Sequence, residues 1–341
     1  MDLTRRRFFG LTLAAGAAAT VLGEFGLAPA ASAYGPSVLY AGGLPPSDVP
    51  QKYGCLYPKT VELQYQSDTS LNGSLLITFE QPADLPVFPI YKSTDYGQSW
   101  TRISSVADTA NGIGNRCCAY LYELPQAIGS LAKGTILCAG ISAPVSDSET
   151  LLELYKSTDG GVTWSWVSEI AAGGSYSTTA IWEPNLIVAN DTLICYHSDS
   201  RDSAHSQKIV HQASSDGVTW GSVVNDVALS TYDLRPGMPV VSLLANGDYY
   251  FMSYEVVNEA SDTPTYFKIS SDPESWTATD IGAGNQQWTL EATGSYYKIL
   301  NSNSGMVLGV NGGSTTEGAA IVQWDDTGTL DQQWSLVEVS S

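Results

Sequence analysis

The chain has 341 residues, of which 43% are hydrophobic, and its formal net charge at pH 7 is −20. A surface this acidic repels nucleic acid and anionic membranes, so polyanion-binding functions are excluded. After residue 33 no apolar segment is long enough to span a bilayer, and we expect the mature chain to be soluble.

Residues 1–33 are predicted to be an export signal. The arginines of "TRRRFFG" at 4–10 precede an alanine-rich run, and "ASA" at 31–33 has the small residues of a cleavage site. An arginine pair before two phenylalanines resembles the twin-arginine type, which predicts a secreted, extracellular protein. A membrane anchor is disfavoured because Gly23 and Glu24 interrupt the apolar run. Cleavage after Ala33 leaves 15 − 3 = 12 basic and 35 − 2 = 33 acidic residues, a net charge of −21.

One short phrase recurs four times along the rest of the chain. It reads "KSTDYGQSW" at 92–100, "KSTDGGVTW" at 156–164, "SSDGVTW" at 214–220 and "SSDPESW" at 270–276. Its aspartates are Asp95, Asp159, Asp216 and Asp272, at steps of 64, 57 and 56 residues. Each phrase separates two β-like runs, and Asp-Gly is a tight-turn signal. We predict that each aspartate side chain accepts hydrogen bonds from backbone N–H groups two residues further along the chain. We also predict that the tryptophan packs into the core.

The period and the many short strand candidates predict an all-β fold, with a β-propeller over residues 34–280. About four blades are recognisable. Blade three reads "TTAIWEPNLIV", "TLICYHSD", "QKIVHQASSD" and "TWGSVV", and blade four reads "RPGMPVVSLL", "DYYFMSYEV", "TYFKISSD" and "SWTATDI". The phrase therefore marks the turn between the third and fourth strands. It resembles the Asp-box, or BNR repeat, of sialidases and other secreted glycosidases, which implies that its aspartates are structural and not catalytic.

Residues 281–341 form a different segment. Gln-Xaa-Trp occurs at Gln286–Trp288 and Gln332–Trp334, and the two tryptophans are 46 residues apart. This pattern resembles the ricin-type β-trefoil lectin repeat. A trefoil needs three such units, whereas this segment holds one complete unit preceded by the tail of another, so we predict a partial lectin domain.

The innermost strands of a propeller converge on its axis, where we expect the chemistry. Blade three offers Glu183 in "AIWEP", and blade four offers Arg235 in "LRPGMP" and Glu255 at the end of "MSYE". Glu255 lies 17 residues before Asp272, and Asp199 lies 17 residues before Asp216, so the two acids occupy the same position in neighbouring blades. Glu183 lies 33 residues before Asp216, and the residue at the same interval before Asp272 is Pro239. Two carboxylates in different environments are the minimum equipment for cleaving a glycosidic bond. The alternative is that these acids are ordinary solvated loop residues.

A denser resemblance covers about residues 36–276. "YLYELPQAIGSLAKGTILCAG", "AIWEPNLIV", "LICYHSDSRDSAHSQKIVHQASSDGVTWG" and "RPGMPVVSLLANGDYYFMSYE" together resemble the exo-α-1,5-L-arabinanases of glycoside hydrolase family 93. Members of that family are secreted six-bladed propellers that release arabinobiose from the non-reducing end of linear arabinan with retention. The resemblance implies that Glu183 is the general acid/base and Glu255 the nucleophile, with carboxyl groups about 5–5.5 Å apart. Neither a metal nor an organic cofactor is implied.

The resemblance also implies a set of substrate contacts in blades three and four. They are Trp182, Asp199, Arg201, Asp202, His205, Arg235 and Tyr254. The expected partner is plant cell-wall arabinan or another neutral glycan.

Two other functions stay open at this point. A four-blade arc has exposed sheet edges, so the chain could be a catalytically inactive carbohydrate-binding protein. A sialidase-like exo-glycosidase fits less well, because sialidases grip the substrate carboxylate with three arginines. The mature chain has only Arg102, Arg116, Arg201 and Arg235, and Lys59 stands where an inner-strand arginine would be expected. The five cysteines show no metal-ligand spacing, and we expect most of them to be buried free thiols.

Overall fold

The structure, a computed structural model, describes residues 38–40, 55–81, 83, 85–244, 247–259, 263–276, 288–301, 304–316 and 319–335. The predicted signal, residues 1–33, lies outside these ranges. The chain divides into two compact units, one of Val38–Asp280 and one of Ile281–Ser341. Within the described ranges, no helix has the length and apolarity needed to cross a bilayer.

The larger unit holds four antiparallel sheets in chain order. The first contains β1 (Lys59–Glu62), β2 (Leu75–Thr78), β3 (Phe88–Ser93) and β4 (Thr101–Val106), with a 3-10 turn at Thr69–Leu71. The second contains β5 (Asn115–Glu123), β6 (Ile136–Ser142), β7 (Thr150–Ser157) and β8 (Ser165–Gly173). The third contains β9 (Ile181–Ala189), β10 (Thr192–Asp199), β11 (Lys208–Ser214) and β12 (Val224–Val227). The fourth contains β13 (Arg235–Leu243), β14 (Tyr250–Val257) and β15 (Thr265–Ser270).

These sheets are the blades of a propeller. Within each sheet every strand pairs with the strand before it, as expected of hairpin-linked meanders. The first strands of successive sheets contact one another, β1 with β5, β5 with β9 and β9 with β13, so they form the inner wall. The prediction of an all-β propeller is confirmed. The fourth strand predicted for the last blade, "SWTATDI", extends into residues 277–281, which lie outside the described residues.

Apolar side chains between neighbouring blades form the core. One buried cluster joins the first two blades through residues such as Leu76, Phe88 and Leu121, and a second joins blades two and three. A third joins blades three and four through residues such as Ile194 and Met252. Each fully buried side chain of this size contributes about 1.5–3 kcal/mol. The inner strands are therefore rigid supports for any site on the axis.

The recurring aspartates organise the turns between third and fourth strands. In blade three, the backbone N–H groups of Val218 and Thr219 both donate to Asp216 Oδ1 at 2.7 Å. The predicted acceptor role of the aspartate is confirmed. These backbone bonds lower the pKa of Asp216 to about 2. In blade one the turn is one residue longer, and the donor to Asp95 Oδ1 is the N–H of Ser99, four residues on.

In blades two and three, the tryptophan of the turn donates a hydrogen bond to the preceding blade. Trp220 Nε1, in blade three, donates to Ser168 Oγ on β8 of blade two at 3.1 Å. Ser168 Oγ in turn donates to the Gly217 carbonyl at 2.8 Å. Trp164 makes the same bond to Ser104 of blade one at 3.2 Å. These two turns therefore hold neighbouring blades together through hydrogen bonds, in addition to joining strands within their own blades.

We expect Ser168→Ala to destabilise the protein by about 1–3 kcal/mol, because it leaves the indole N–H of Trp220 and the Gly217 carbonyl without their buried partner. Urea unfolding at constant pH measures this change. Ser165→Ala on the same strand is the matched control, since Ser165 is exposed, and it should change stability by less than about 0.5 kcal/mol. Equal effects of the two substitutions on stability would show that the hydrogen bonds of Ser168 do not stabilise the contact between blades two and three.

The smaller unit contains one four-stranded antiparallel sheet. Its strands are β16 (Trp288–Thr293), β17 (Tyr296–Asn301), β18 (Val307–Val310) and β19 (Ile321–Trp324), with 3-10 turns at Asn311–Gly313 and Leu330–Gln332. Gln332 and Trp334 of the second Gln-Xaa-Trp are buried. Gln332 Nε2 donates to the Asp325 carbonyl at 2.7 Å, and Trp334 Nε1 donates to the Leu308 carbonyl at 3.0 Å. The second Gln-Xaa-Trp motif therefore has a structural role, because its side chains bind backbone carbonyls elsewhere in the unit. Gln286 of the first copy lies outside the described residues.

Candidate active site

A pocket of about 290 Å³ opens on the inner wall of the propeller. All four blades contribute to it. Its lining consists of Tyr57, Lys59, Cys118, Glu183, Pro184, Met238, Pro239 and Val240.

Each blade presents one left-handed residue to this pocket. The φ angles are 51° at Tyr57, 60° at Cys118, 57° at Glu183 and 57° at Met238. Non-glycine residues rarely adopt this conformation, and it costs of order 1–3 kcal/mol at each position. The three inner strands β5, β9 and β13 shift register near these residues. Such bulges re-aim side chains, and here they turn them toward the axis.

The shared conformation corrects the internal alignment. The sequence interval pairs Glu183 with Pro239, whereas the structure pairs it with Met238. The interval is one residue longer in blade four, and the four left-handed residues differ in type. Sequence counting therefore could not identify the repeated bulge.

Glu183 is held by blades three and four together. Its Oε2 accepts hydrogen bonds from Ser198 Oγ and from the Met238 N–H, each at 2.7 Å. Burial raises the pKa of Glu183, and the two hydrogen bonds lower it. The negative charge of Glu255 raises the pKa of Glu183 further, whereas the positive charge of Arg235 lowers it. The net result is a raised pKa, so Glu183 stays protonated to higher pH than an ordinary carboxyl group. A proton kept this way can be given to a leaving group.

Glu255 lies close enough to Glu183 for its charge to act on that residue. It is directly opposite Gly237 in the β13–β14 ladder, and side chains so paired share a face of the sheet with Cβ atoms about 5 Å apart. A Cβ at Gly237 would be 3.3 Å from Glu183 Oε2. The carboxyl group of Glu183 therefore lies over the face of the blade-four sheet from which the Glu255 side chain projects. A Cβ at position 237 would also lie 2.6 Å from Gln207 Nε2, so the Gln207 side chain would have to shift to admit it.

Arg235 and Trp182 lie beside the two glutamates. Arg235 Nη2 donates to Gln207 Oε1 at 2.7 Å, and Gln207 Nε2 donates to the Pro236 carbonyl at 3.0 Å. Arg235 is half-buried, and its positive charge lowers the pKa of Glu183. Trp182 meets Tyr176 edge-on, with ring centroids 4.4 Å apart. Gln207 and Ser198 were not predicted from the sequence, and their neighbours give no motif that would identify them.

Three of the predicted substrate contacts are engaged in bonds within the protein. Both carboxylate oxygens of Asp199 accept hydrogen bonds from the Arg201 guanidinium, at 2.9 and 2.7 Å. Burial would raise the pKa of Asp199, but the bonds from Arg201 outweigh it and lower the pKa. Asp202 pairs with Lys208 at 2.8 Å. These bonds shape the loop after β10, and Asp199 is buried beneath it.

His205 and Tyr254 also have partners in the fold. His205 Nδ1 is 2.8 Å from the Leu229 carbonyl. Tyr254 is 2% exposed, belongs to the core cluster of blades three and four, and stacks on Tyr266 with centroids 5.7 Å apart. Because neighbouring strand residues point to opposite faces, Tyr254 points away from the face that carries Glu255. The expectation of a substrate contact at Tyr254 is thus corrected to a core position.

The arginines of the described residues do not form a carboxylate clamp. Arg116 is buried and donates to the Ala143 carbonyl at 2.7 Å. Arg201 is paired with Asp199, and Arg102 lies on the fourth strand of its blade, away from the inner wall. A pocket of this kind suits a neutral sugar better than a sialic acid.

We expect Ser198→Ala to move the alkaline limb of the pH–activity profile to higher pH. The Ser198 hydroxyl lowers the pKa of Glu183, so its removal raises that pKa further and keeps the acid protonated over a wider range. The measurement is kcat/KM against pH. Ser200→Ala, in the loop just beyond β10, is the control and should leave the limb in place. A limb that moves to lower pH in Ser198→Ala would contradict the assigned donor.

Comparisons with known proteins define the class. Residues 284–341 match the family model described as ricin-type beta-trefoil lectin domain-like. No curated protein matches the chain. The solved structure of the GH93 α-L-arabinofuranosidase of Fusarium graminearum with arabinobiose is 35% identical, with 85% of each chain covered and a TM-score of 0.62. That of the Penicillium chrysogenum α-L-arabinanase complexed with arabinobiose is 37% identical, with 86% of each chain covered and a TM-score of 0.62.

The propeller, with two interacting glutamates at its central pocket, of which Glu183 lines the wall, is that of a glycoside hydrolase. At this identity and coverage, the chain belongs to glycoside hydrolase family 93. A ricin-type lectin-like segment follows the propeller in the sequence.

Proposed function

We propose that the protein is an exo-acting arabinanase that cleaves α-1,5-linked L-arabinan from the non-reducing end and releases arabinobiose with retention. The observation that carries this proposal is the approach of Glu255 in blade four to Glu183 in blade three, beside the pocket that Glu183 lines. Family relatives solved with arabinobiose support a furanose disaccharide as the product. The lectin-like segment also supports carbohydrate as the partner.

Glu183 is assigned as the general acid/base. Both of its hydrogen bonds go to Oε2, so Oε1 is the oxygen that carries the proton. In the first step this proton passes to the leaving glycosidic oxygen as the C–O bond breaks. In the second step the Glu183 carboxylate takes a proton from the attacking water.

Glu255 is assigned as the nucleophile. Its carboxylate attacks the anomeric carbon as the leaving group departs, which forms a covalent glycosyl ester. Water activated by Glu183 then breaks this ester and restores both residues. Two displacements at one carbon retain its configuration, which requires carboxyl groups about 5–5.5 Å apart.

The direct test is incubation of the protein with linear, debranched arabinan, followed by chromatography of early products and NMR of their anomeric configuration. We expect arabinobiose alone at early times, with the configuration of the substrate. Substrate binding without any turnover would instead establish the alternative, an inactive carbohydrate-binding protein. A ladder of longer oligosaccharides would overturn the exo mode.

We further propose that residues 1–33 direct export through the twin-arginine route and are removed after Ala33. The motif "TRRRFFG" supports this assignment. The test is mass spectrometry of the protein recovered from culture medium. A mature N-terminus at Tyr34, and retention in the cell when Arg5 and Arg6 are both replaced by lysine, are the expected results. A secreted chain that still carries residues 1–33 would contradict cleavage.

A further inference from the structure

A buried group of two thiols and a carboxylate lies in the pocket wall. One carboxylate oxygen of Glu80 and the Sγ atoms of Cys117 and Cys118 all lie within 4.8 Å of one another. The three residues are 2%, 2% and 6% exposed. A tetrahedral zinc ion with Zn–S bonds of about 2.3 Å holds its sulfur ligands about 3.8 Å apart. A mutual distance below 4.8 Å is compatible with such an ion.

The repeated bulge is what brings the two sulfurs to the same side. Adjacent residues on a regular strand point to opposite faces, yet both cysteines belong to the core cluster between blades two and three. The left-handed conformation of Cys118, with φ of 60°, and the register shift of β5 against β6 produce this arrangement. The Cys118 N–H donates to Glu80 Oε1 at 2.8 Å, which fixes the carboxylate beside the sulfurs.

The group is accessible from the pocket and electrically linked to it. Cys118 lines the same cavity as Glu183 and Tyr57. Its hydrogen bond with Cys117 and its burial raise the pKa of the Cys118 thiol. Burial, together with the charges of Cys118, Glu183 and Glu80, raises the pKa of Tyr57.

We propose that Glu80, Cys117 and Cys118 bind a thiophilic divalent cation of the zinc class, taken up through the sugar pocket, and that the bound ion inhibits hydrolysis. Binding exchanges the two thiol protons for two metal–sulfur bonds and releases both protons to solvent, with no change of oxidation state. Three protein ligands leave the fourth tetrahedral position open. The inhibition rests on the proposed function, because it acts by placing the ion, with its open fourth position, in the wall of the pocket that Glu183 lines, whereas the binding does not rest on it.

Metal binding is tested on the full mature chain, reduced and kept free of oxygen. Calorimetric titration with Zn²⁺ should give one ion per chain and the release of two protons, and Co²⁺ should give a thiolate charge-transfer band. Cys117→Ser and Cys118→Ser should each weaken Zn²⁺ binding by about a hundredfold or more. Cys138→Ser is the matched control, because Cys138 is buried in the cluster between blades one and two. Binding that survives both pocket substitutions, or is lost in Cys138→Ser, overturns the site.

A second measurement does not depend on the variants folding. In the unsubstituted protein, Zn²⁺ should slow alkylation of Cys118 by iodoacetamide, as judged by peptide mass spectrometry. Unchanged alkylation overturns the site, as does a thiol count showing that Cys117 and Cys118 stay joined as a disulfide under the reducing conditions. If Zn²⁺ binds but arabinan hydrolysis continues at the same rate, the inhibition is overturned. If the protein hydrolyses no arabinan, the proposed function fails, while titration and alkylation still decide the metal site.

Discussion

Glu183→Gln is expected to lower kcat on linear arabinan by about a thousandfold with little change in KM, because the amide keeps the size of the side chain and loses the transferable proton. The raised pKa of Glu183 extends the pH range over which its protonated, active form persists. In the parent protein, kcat/KM should therefore fall as pH rises through this pKa. That alkaline limb should disappear in the variant.

The leaving group separates acid catalysis from simple damage. An aryl arabinoside with a nitrophenolate leaving group needs no proton at the bond-breaking step, so Glu183→Gln should retain much more of its first-step rate on it, measured as a pre-steady-state burst. Glu169→Gln, an exposed glutamate on β8, is the control and should keep parental activity on both substrates. An equal loss on arabinan and on the aryl arabinoside would contradict the acid role.

Glu255→Ala is expected to abolish turnover, with a loss of at least about ten-thousandfold, because the covalent intermediate cannot form without the nucleophile. Substitution leaves a space opposite Gly237 that azide can enter. With the aryl arabinoside as substrate, added azide should restore product release. The product should be a glycosyl azide of opposite anomeric configuration, since azide attacks from the face that Glu255 occupied.

Azide gives the opposite stereochemistry in the partner variant. In Glu183→Gln the nucleophile still forms the ester, and azide then attacks that ester to give a glycosyl azide with the configuration of the substrate. NMR of the two azides therefore assigns both residues with one reagent. A retained azide from Glu255→Ala would mean that another group is the nucleophile.

Local signals were sufficient to predict the strands and turns. Asp-Gly turns and alternating apolar residues act within a few positions, so the four blades and the acceptor role of Asp216 could be predicted from the sequence. The docking of Trp220 on Ser168 joins residues 52 positions apart. No local pattern encodes that contact, so the sequence predicted only that the tryptophan packs into the core.

The pocket itself depends on backbone conformations that residue type does not reveal. Tyr57, Cys118, Glu183 and Met238 share a left-handed φ but no chemistry, so their equivalence needs coordinates. The burial of Tyr254, by contrast, could have been inferred from the sequence. It is next to Glu255 on a strand, and alternation puts the two side chains on opposite faces. The bonding of Asp199 to Arg201 depends on the course of the following loop and could not be inferred.

The pairing of Glu183 and Glu255 on one sugar is tested most directly by trapping the covalent intermediate. A 2-fluoro-arabinofuranosyl donor with a good leaving group should react once per chain, because the fluorine slows the second displacement more than the activated first. Peptide mass spectrometry of the inactivated protein should place the sugar on Glu255, and Glu183→Gln should still be labelled. A sugar attached to any other residue, or turnover of arabinan with inversion and no label, would contradict the shared site.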